Sequence, residues 1–180
     1  MYRSLGVLPS PPSDGLPDLE LNLATPLSSV PGQDNSAINK AAILRGDDAL
    51  NNGNFTLESL NLSPDVAVYG LTDKPLNAQG YINWLQGMKT AFPNLRLEND
   101  PYFRPVIGQG DWTATVAFLS GTHQGNLSLP LYISDAPVKP TGENFSLLHF
   151  TIARWKEGKI VGMRVNLDLF GILASLNITL

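Results

Sequence analysis

The clearest pattern of apolar and polar positions lies near the C-terminus. Residues 143–156 (ENFSLLHFTIARWK) are apolar on both faces, which predicts a strand that is covered on both sides. The next segment alternates, with Val161, Met163, Val165 and Leu167 in one row, and this predicts a half-covered strand. Between them, Lys156-Glu157-Gly158-Lys159 is polar and contains glycine, as tight hairpin turns do. His149 falls opposite the row Leu148, Phe150 and Ile152, so this hairpin is expected to floor any pocket.

Two amphipathic segments predict helices. The first runs from about Ala37 to Asn52, with Ser36 as N-cap, Gly53 as its stop and apolar positions at Ile38, Ala41, Ala42, Ile43, Leu44, Ala49 and Leu50. The second runs from Ala78 to Ala91 behind the N-cap Asn77. Its stripe either packs in the core or faces a ligand, and it consists of Tyr81, Trp84, Leu85, Met88 and Phe92.

The remaining segments indicate further strands. Asp65–Tyr69 is a short strand after Pro64, and prolines make residues 94–107 irregular. Trp112–His123 is a long strand, residues 124–142 form a long loop typical of lids, and a final helix covers about Leu169 to Ala174. Helices first and long strands afterwards predict an α+β fold, in which a strongly curved antiparallel sheet would wrap around the N-terminal helices and enclose a cavity.

Composition narrows the class of protein. Residues 1–35 hold six of the 14 prolines and read as an extended arm or tail, and residues 36–180 as one domain. The net charge of −4 without a basic block argues against nucleic acid as partner. No apolar run is long enough for a membrane span. Cysteine is absent, which excludes disulfides and thiolate chemistry.

The compartment has two interpretations. The chain given shows no signal peptide, so a cytoplasmic location is the default expectation. Against this stand five Asn-X-Ser/Thr sequons, where roughly two would arise by chance; a secreted protein is therefore the alternative. The sequons begin at Asn54, Asn61, Asn126, Asn144 and Asn177.

Several short runs, in this order and spacing, resemble the SnoaL-like proteins, small polyketide or ester cyclases. The resemblance covers about residues 37–175 and implies the cone-shaped α+β fold named after nuclear transport factor two. It also implies a homodimer, in which the apolar outer face of the sheet is covered. The runs are Asn39–Asn54, Gly80-Tyr81, Ala91–Leu95, Gly121–Gly125, Pro140–Gly142, Arg154 with Gly158–Ile160, and Asp168–Leu173.

The resemblance fails at the positions that carry the chemistry of the cyclases. In those enzymes the last strand supplies an acid/base carboxylate and the strand before it a histidine. Aligned on Gly158-Lys159-Ile160, these positions hold Val165 and Thr151, which cannot transfer protons as required. The arginine that often follows Pro-Thr-Gly is Glu143 here. The activity of the cyclases therefore cannot be carried over whole.

Three other residues are candidates for chemistry. His149 is either a neutral core histidine or a relocated general base. His123, at a strand end, either lies at the solvent edge or serves the site. Asp168 either caps the last helix or pairs with His149 as a pocket carboxylate. Two histidines on separate strands make a poor metal signature, and we expect neither metal nor nucleotide.

The leading hypothesis is a SnoaL-like enzyme for a hydrophobic polyketide- or terpenoid-like substrate. It would cyclise, isomerise or dehydrate this substrate by cofactor-free acid/base chemistry, with His149 and Asp168 as catalytic residues. The alternative is a non-catalytic ligand-binding or dimeric interaction module, which Val165 and Thr151 favour. The expected ligand-binding residues are Tyr69, Tyr81, Trp84, Met88, Trp112, Thr151, Met163 and Val165.

Overall fold

The structure, a computed structural model, describes residues 35–100, 103–129 and 136–179. The expected proline-rich arm therefore lies outside the described residues, apart from Asn35. So do Pro101 and part of the expected loop over residues 124–142.

The described residues form three helices and six strands. The helices are α1 (Ser36–Asn51), α2 (Ala78–Ala91) and α3 (Leu169–Ser175). The strands are β1 (Leu62–Tyr69), β2 (Arg96–Glu98), β3 (Val106–Gln109), β4 (Trp112–Thr122), β5 (Asn144–Lys156) and β6 (Lys159–Asn166). This order confirms the α+β prediction.

All six strands belong to one curved sheet that does not close into a barrel. Its strand order is β1-β6-β5-β4-β2, and β3 pairs with the other half of the same edge of β4. β1 runs parallel to β6, so the expectation of a wholly antiparallel sheet is wrong at this edge. No hairpin joins these two strands, which lie far apart in the chain, and no tight turn therefore sets their relative direction.

The inner face of the sheet is set by the pairing of β4 with β5. Thr113, Thr115, Ala117 and Leu119 are buried on β4, and they lie opposite Ala153, Thr151, His149 and Leu147 of β5. Helix α1 packs against β2, β3 and β4, whereas α2 packs against β1. The two long helices thus cover the concave side of the sheet.

The predicted hairpin between β5 and β6 is confirmed. Glu157 and Gly158 have φ angles of 52° and 74°, as a two-residue type I′ turn requires. One detail of the predicted alternation is wrong. Arg154 pairs with Gly162 and Trp155 with Ile160, so a bulge leaves Val161 without a partner. Ile160, 3% exposed, therefore occupies the inner row in place of Val161.

Helix α1 differs in detail from its prediction. Its N-cap is Asn35, and Ser36 is already the first helical residue. Ile38 and Leu44 are 65% and 44% exposed, because the buried face follows a different spacing. That face consists of Ser36, Asn39, Ala42, Ile43 and Leu50.

The other elements follow the predictions closely. α2 has the predicted bounds, and the side chain of Asn77 caps it by accepting a hydrogen bond from the Gly80 amide at 2.8 Å. β1 begins at Leu62 rather than after Pro64. Pro64 is tolerated because β1 is an edge strand whose register shifts between Leu62 and Ala67.

A side chain at the end of α1 ties the helix to the sheet. The Asn51 amide donates to the carbonyl of Leu97 at 2.9 Å and accepts from the amide of Leu97 at 2.7 Å. Lys89 of α2 donates to the carbonyls of Asn51 and Leu95 at 3.0 and 2.9 Å. These contacts hold the C-terminal end of α1 against β2.

Replacing Asn51 by alanine is expected to lower the free energy of unfolding by about 1–3 kcal/mol, because backbone groups of Leu97 lose their partner. Urea denaturation measures this loss. The matched control is Asn52→Ala, since the exposed Asn52 amide bonds only within α1, to Asp48. Equal losses in the two variants would contradict this account of the α1–β2 junction.

Candidate functional site

A cavity of about 70 Å³ lies between α1, α2 and the concave face of the sheet. Most of its wall is aliphatic, and this part is formed by Ile43, Leu50, Leu60, Leu62, Leu85, Leu95, Leu97, Ala117, Leu119, Ile160 and Val165. A small set of polar side chains interrupts this wall, and it comprises Asp47, Asn61, Tyr81, Thr115, His149 and Thr151. An apolar cavity with a few convergent polar groups is the usual form of a small-molecule site.

Asp47 is the most perturbed of these groups. Burial, with a smaller contribution from Asp48, raises its pKa from 3.8 to about 7. Its Oδ2 atom is shielded from solvent and has no hydrogen-bond partner among the described residues. The carboxyl group is thus close to half-ionised at neutral pH, in a cavity that solvates its charge poorly.

Tyr81 lies near Asp47, on the facing helix α2. Burial, and then the charge of Asp47, raise the pKa of the Tyr81 phenol. Its ring stacks on Trp84 with 6.2 Å between centroids. Tyr81 therefore stays protonated and offers an O–H group near the carboxyl group of Asp47.

His149 lies on the floor of the cavity. Burial lowers its pKa to about 4, and the backbone of Asn166 opposes this shift only in part. Its Nε2 atom is 3.1 Å from the hydroxyl oxygen of Thr151, whereas its Nδ1 atom is buried and makes no hydrogen bond of acceptable geometry. His149 is therefore a neutral imidazole near pH 7, and its Nδ1 atom can donate or accept one hydrogen bond, depending on the tautomer.

Six of the eight expected ligand-binding residues line the cavity: Tyr81, Trp84, Met88, Thr151, Met163 and Val165. Two do not. Trp112 falls on the outer row of β4, because the buried positions of this strand begin at Thr113. The ring of Tyr69 lies 5.8 Å from the guanidinium carbon of Arg164 instead.

The structure does not bring Asp168 and His149 together, and their expected pairing is corrected accordingly. The Oδ1 atom of Asp168 accepts a hydrogen bond from the Gly171 amide at 2.8 Å and caps α3. Asp168 is exposed and borders a groove on the outer side of the sheet, together with Leu148 and Phe150. Among the alternatives for Asp168, the helix cap is the one that the geometry supports.

His123 is also absent from the cavity wall, and a position at the solvent edge is wrong. It is 0% exposed, packs on Phe92 with ring centroids 5.4 Å apart, and accepts at Nδ1 from the Thr141 amide at 3.2 Å. His123 thus fixes the chain after β4 to the end of α2.

The described part of the chain contains no group of three or more acidic or histidine residues placed to hold a metal ion. None of its helices combines the length and apolar character needed to cross a membrane. Four of the five sequon asparagines are exposed, whereas Asn61 is half-buried and donates to the carbonyl of Ala42.

The family model of the SnoaL-like polyketide cyclases matches residues 40–176, most of the chain. The chain belongs to the SnoaL-like polyketide cyclase family. This match includes most of α1, all of α2 and all six strands, and thus both walls of the cavity. No curated protein matches the chain at the level of sequence.

Solved structures with a similar fold include two proteins from Streptomyces and one from Agrobacterium tumefaciens. AclR from Streptomyces galilaeus, a candidate hydroxylase, is 25% identical with a TM-score of 0.64. The match covers 79% of this chain and 97% of AclR. IdmH from Streptomyces antibioticus, a candidate polyketide cyclase, is 23% identical with a TM-score of 0.62. The match covers 78% of this chain and 99% of IdmH. A SnoaL-like polyketide cyclase from Agrobacterium tumefaciens is 20% identical with a TM-score of 0.57. The match covers 77% of this chain and 97% of that cyclase. Their names differ in reaction, so the fold alone does not assign one.

Asp47 was missed in the sequence, although a signal was present. It stands four residues after Ile43 and three before Leu50, so it falls on the buried face of α1. The adjacent pair Asp47-Asp48 in a Gly-Asp-Asp run nevertheless resembles a solvated surface. Only the packing of α1 on the sheet reveals which of the two carboxylates is buried.

Replacing Asp47 by asparagine is expected to stabilise the protein more as the pH rises. The folded-state pKa of about 7 lies above the unfolded value of 3.8, so wild type loses stability as pH rises between these values. Asparagine does not titrate, and its advantage grows over this window to at most about 4 kcal/mol, then levels off.

Urea denaturation of both proteins between pH 4 and 8 measures the difference. Any contribution from His149 is common to both and cancels. Asp65→Asn, at an exposed aspartate, serves as the control for an Asp-to-Asn substitution outside the cavity. A difference between Asp47→Asn and wild type that stays constant from pH 4 to 8 would contradict the raised pKa of Asp47.

Proposed function

We propose that this chain is a cofactor-free enzyme that transfers protons on a hydrophobic small molecule, with Asp47 as its acid/base residue. The observation that carries the proposal is the carboxyl group of Asp47, which lines an apolar cavity, has a pKa of about 7 and has a buried Oδ2 atom without a hydrogen-bond partner among the described residues. A general acid/base works best when its pKa lies near the working pH, because both protonation states are then available.

The chemistry follows from this one group. Ionised Asp47 takes a proton from a C–H or O–H bond of the substrate, and the protonated carboxyl group returns a proton to another atom. Such a pair of transfers is what isomerisation, dehydration or ring closure requires. His149, being neutral, and Tyr81, being protonated, supply hydrogen bonds without adding charge to the cavity.

The size of the cavity constrains how a substrate enters. A volume of about 70 Å³ is well below the roughly 300–1,000 Å³ of pockets for drug-sized ligands. A polyketide- or terpenoid-like substrate therefore needs the wall to move. Trp84 is half-exposed while lining the cavity, and the buried Met88 one turn further along α2 is flexible. We propose that these two side chains form the entrance.

One observation favours a second candidate function, a ligand-binding module without catalysis. The positions that carry the carboxylate and histidine of the family's cyclases hold Val165 and Thr151, and both line the cavity. The two candidates differ in one respect: a binding module holds its ligand unchanged, whereas the enzyme exchanges protons with it.

We also propose that the chain forms a homodimer through the outer face of its sheet. Leu148, Phe150 and Ile152 of the central strand β5 are 47%, 41% and 49% exposed there. A contiguous apolar row of this kind is typical of an interaction surface. Dimer formation would cover it without obstructing the cavity, which lies on the opposite face.

The enzymatic proposal predicts that wild type accelerates deuterium exchange at the α-carbon of cyclohexanone in D2O, followed by NMR. The rate should rise with pH through about 7 as Asp47 ionises. Asp47→Asn should lower it by about 10²–10⁴-fold. Asp168→Asn should keep the rate, because asparagine also caps helices and Asp168 lies outside the cavity.

Two outcomes of this assay count against the proposal. Loss of exchange in Asp168→Asn with retention in Asp47→Asn would assign the chemistry to Asp168. A wild type that binds the ketone but exchanges its protons no faster than buffer would support the binding module.

The dimer proposal predicts that Ile152→Glu is monomeric, because the substitution places a charge in the apolar row. Sedimentation velocity compares it with wild type over a range of concentrations. Lys156→Glu, at an exposed position on the same strand but beyond the row, is the control and should stay dimeric. A wild type that sediments as a monomer at every concentration would refute the dimer.

A further inference from the structure

Unpartnered polar atoms cluster in the cavity. Among the described residues, five buried side-chain atoms lack a hydrogen-bond partner, and three of them belong to residues that line it. These three are Asp47 Oδ2, Thr115 Oγ1 and His149 Nδ1. The proposed function uses Asp47 and His149 but leaves the hydroxyl group of Thr115 without a role.

Thr115 lies on the cavity floor, on the inner row of β4. It is 5% exposed and pairs directly with Thr151 of β5, which in turn pairs with Val165 of β6. The three side chains form a row across the sheet, under the helices. α1, which carries Asp47, packs against β4, which carries Thr115. The carboxyl group and the hydroxyl group thus belong to opposite walls of one cavity.

The hydroxyl of Thr115 contrasts with that of a neighbour. Thr113 lies two residues earlier on the same buried row of β4, and its hydroxyl accepts a hydrogen bond from Trp155 Nε1 at 2.9 Å. The hydroxyl of Thr115 has no such partner. A buried hydroxyl without a partner destabilises the fold, and valine would fill the same space without this cost.

We propose that Thr115 is a substrate-binding residue whose hydroxyl donates a hydrogen bond to a carbonyl oxygen, so that the cavity takes hydrophobic ketones and related carbonyl compounds. The carbonyl class follows from the walls. Apart from Asp47, the lining carries no group that is charged near neutral pH, so a charged ligand group would be poorly solvated. A carbonyl oxygen is neutral and accepts the one hydrogen that Thr115 offers.

This assignment rests on the proposed function for its chemical consequence. Asp47 removes the proton from the α-carbon, and the C–H electron pair forms the C=C bond of the enolate. The carbonyl π electrons move to the oxygen, where the hydrogen bond from Thr115 stabilises the developing negative charge. Return of a proton from Asp47 to the oxygen completes an enolisation, whereas its return to the carbon regenerates the ketone, and neither outcome needs another reactant.

The test compares cyclohexanone with cyclohexane, which has a similar shape but no carbonyl group. Thr115→Val should weaken cyclohexanone binding roughly tenfold, the effect of one hydrogen bond, and leave cyclohexane binding unchanged. Ligand titrations followed by NMR measure both affinities. In wild type, the infrared carbonyl stretch of bound cyclohexanone should lie at lower frequency than in Thr115→Val.

Thermal denaturation separates binding from folding. Thr115→Val should melt at the same or a higher temperature than wild type, because no folded partner is lost. Thr113→Val is the matched control: it should melt lower, since Trp155 Nε1 loses its acceptor, while keeping the affinity for cyclohexanone.

Equal loss of affinity for both ligands, an unchanged affinity for cyclohexanone, or no binding of cyclohexanone to wild type would each overturn the role of Thr115. The proposed function fails separately. If deuterium exchange is absent from wild type while binding depends on Thr115, the cavity binds carbonyl compounds without catalysis.

Discussion

The long antiparallel pairing of β4 with β5 determines which side chains of these two strands lie on the cavity floor. It holds eleven residue pairs in continuous register, from Trp112 opposite Arg154 to Thr122 opposite Asn144. Because side chains alternate between the faces of a sheet, a slip of one residue in either strand would carry its inner row to the outer face. Thr115, His149 and Thr151 share the concave side only in this register. The curved sheet then presents them to two helices that close the cavity from the other side.

Elements defined by local signals could be predicted from the sequence, and those that depend on register or packing could not. The bounds of α2 followed from the cap at Asn77 and the spacing of its apolar residues, and the hairpin from its turn. The face of Trp112 depends on which row of β4 meets the helices, and the bulge at Val161 depends on strand pairing. His149 was placed in the cavity correctly because alternation along β5 is local. The spacing of Asp47 from Ile43 and Leu50 places it on the apolar face of α1, but its burial in a cavity depends on how α1 packs on the sheet.

The same physical cause shifts both titratable groups of the cavity towards their neutral forms. Burial raises the pKa of Asp47 and lowers that of His149, since the surroundings disfavour charge of either sign. The cavity is therefore neutral or carries the single charge of Asp47 near pH 7. Each of these groups weakens the fold in the absence of a partner, and the large aliphatic core between helices and sheet offsets that loss. Polar groups held at such a cost are typical of functional sites.

Family membership accounts for the fold that surrounds the cavity, and it does not assign a proton-transferring group. The position expected to carry a carboxylate on the last strand holds Val165, yet Asp47 lines the same cavity from a helix. With the carboxyl group on α1 rather than on the sheet, the base would contact a bound molecule from the opposite side of the cavity. A substrate of this chain would then present its acidic hydrogen to α1 and its oxygen to the sheet. The absence of a carboxylate at Val165 therefore argues for a different orientation of the ligand as much as for loss of catalysis.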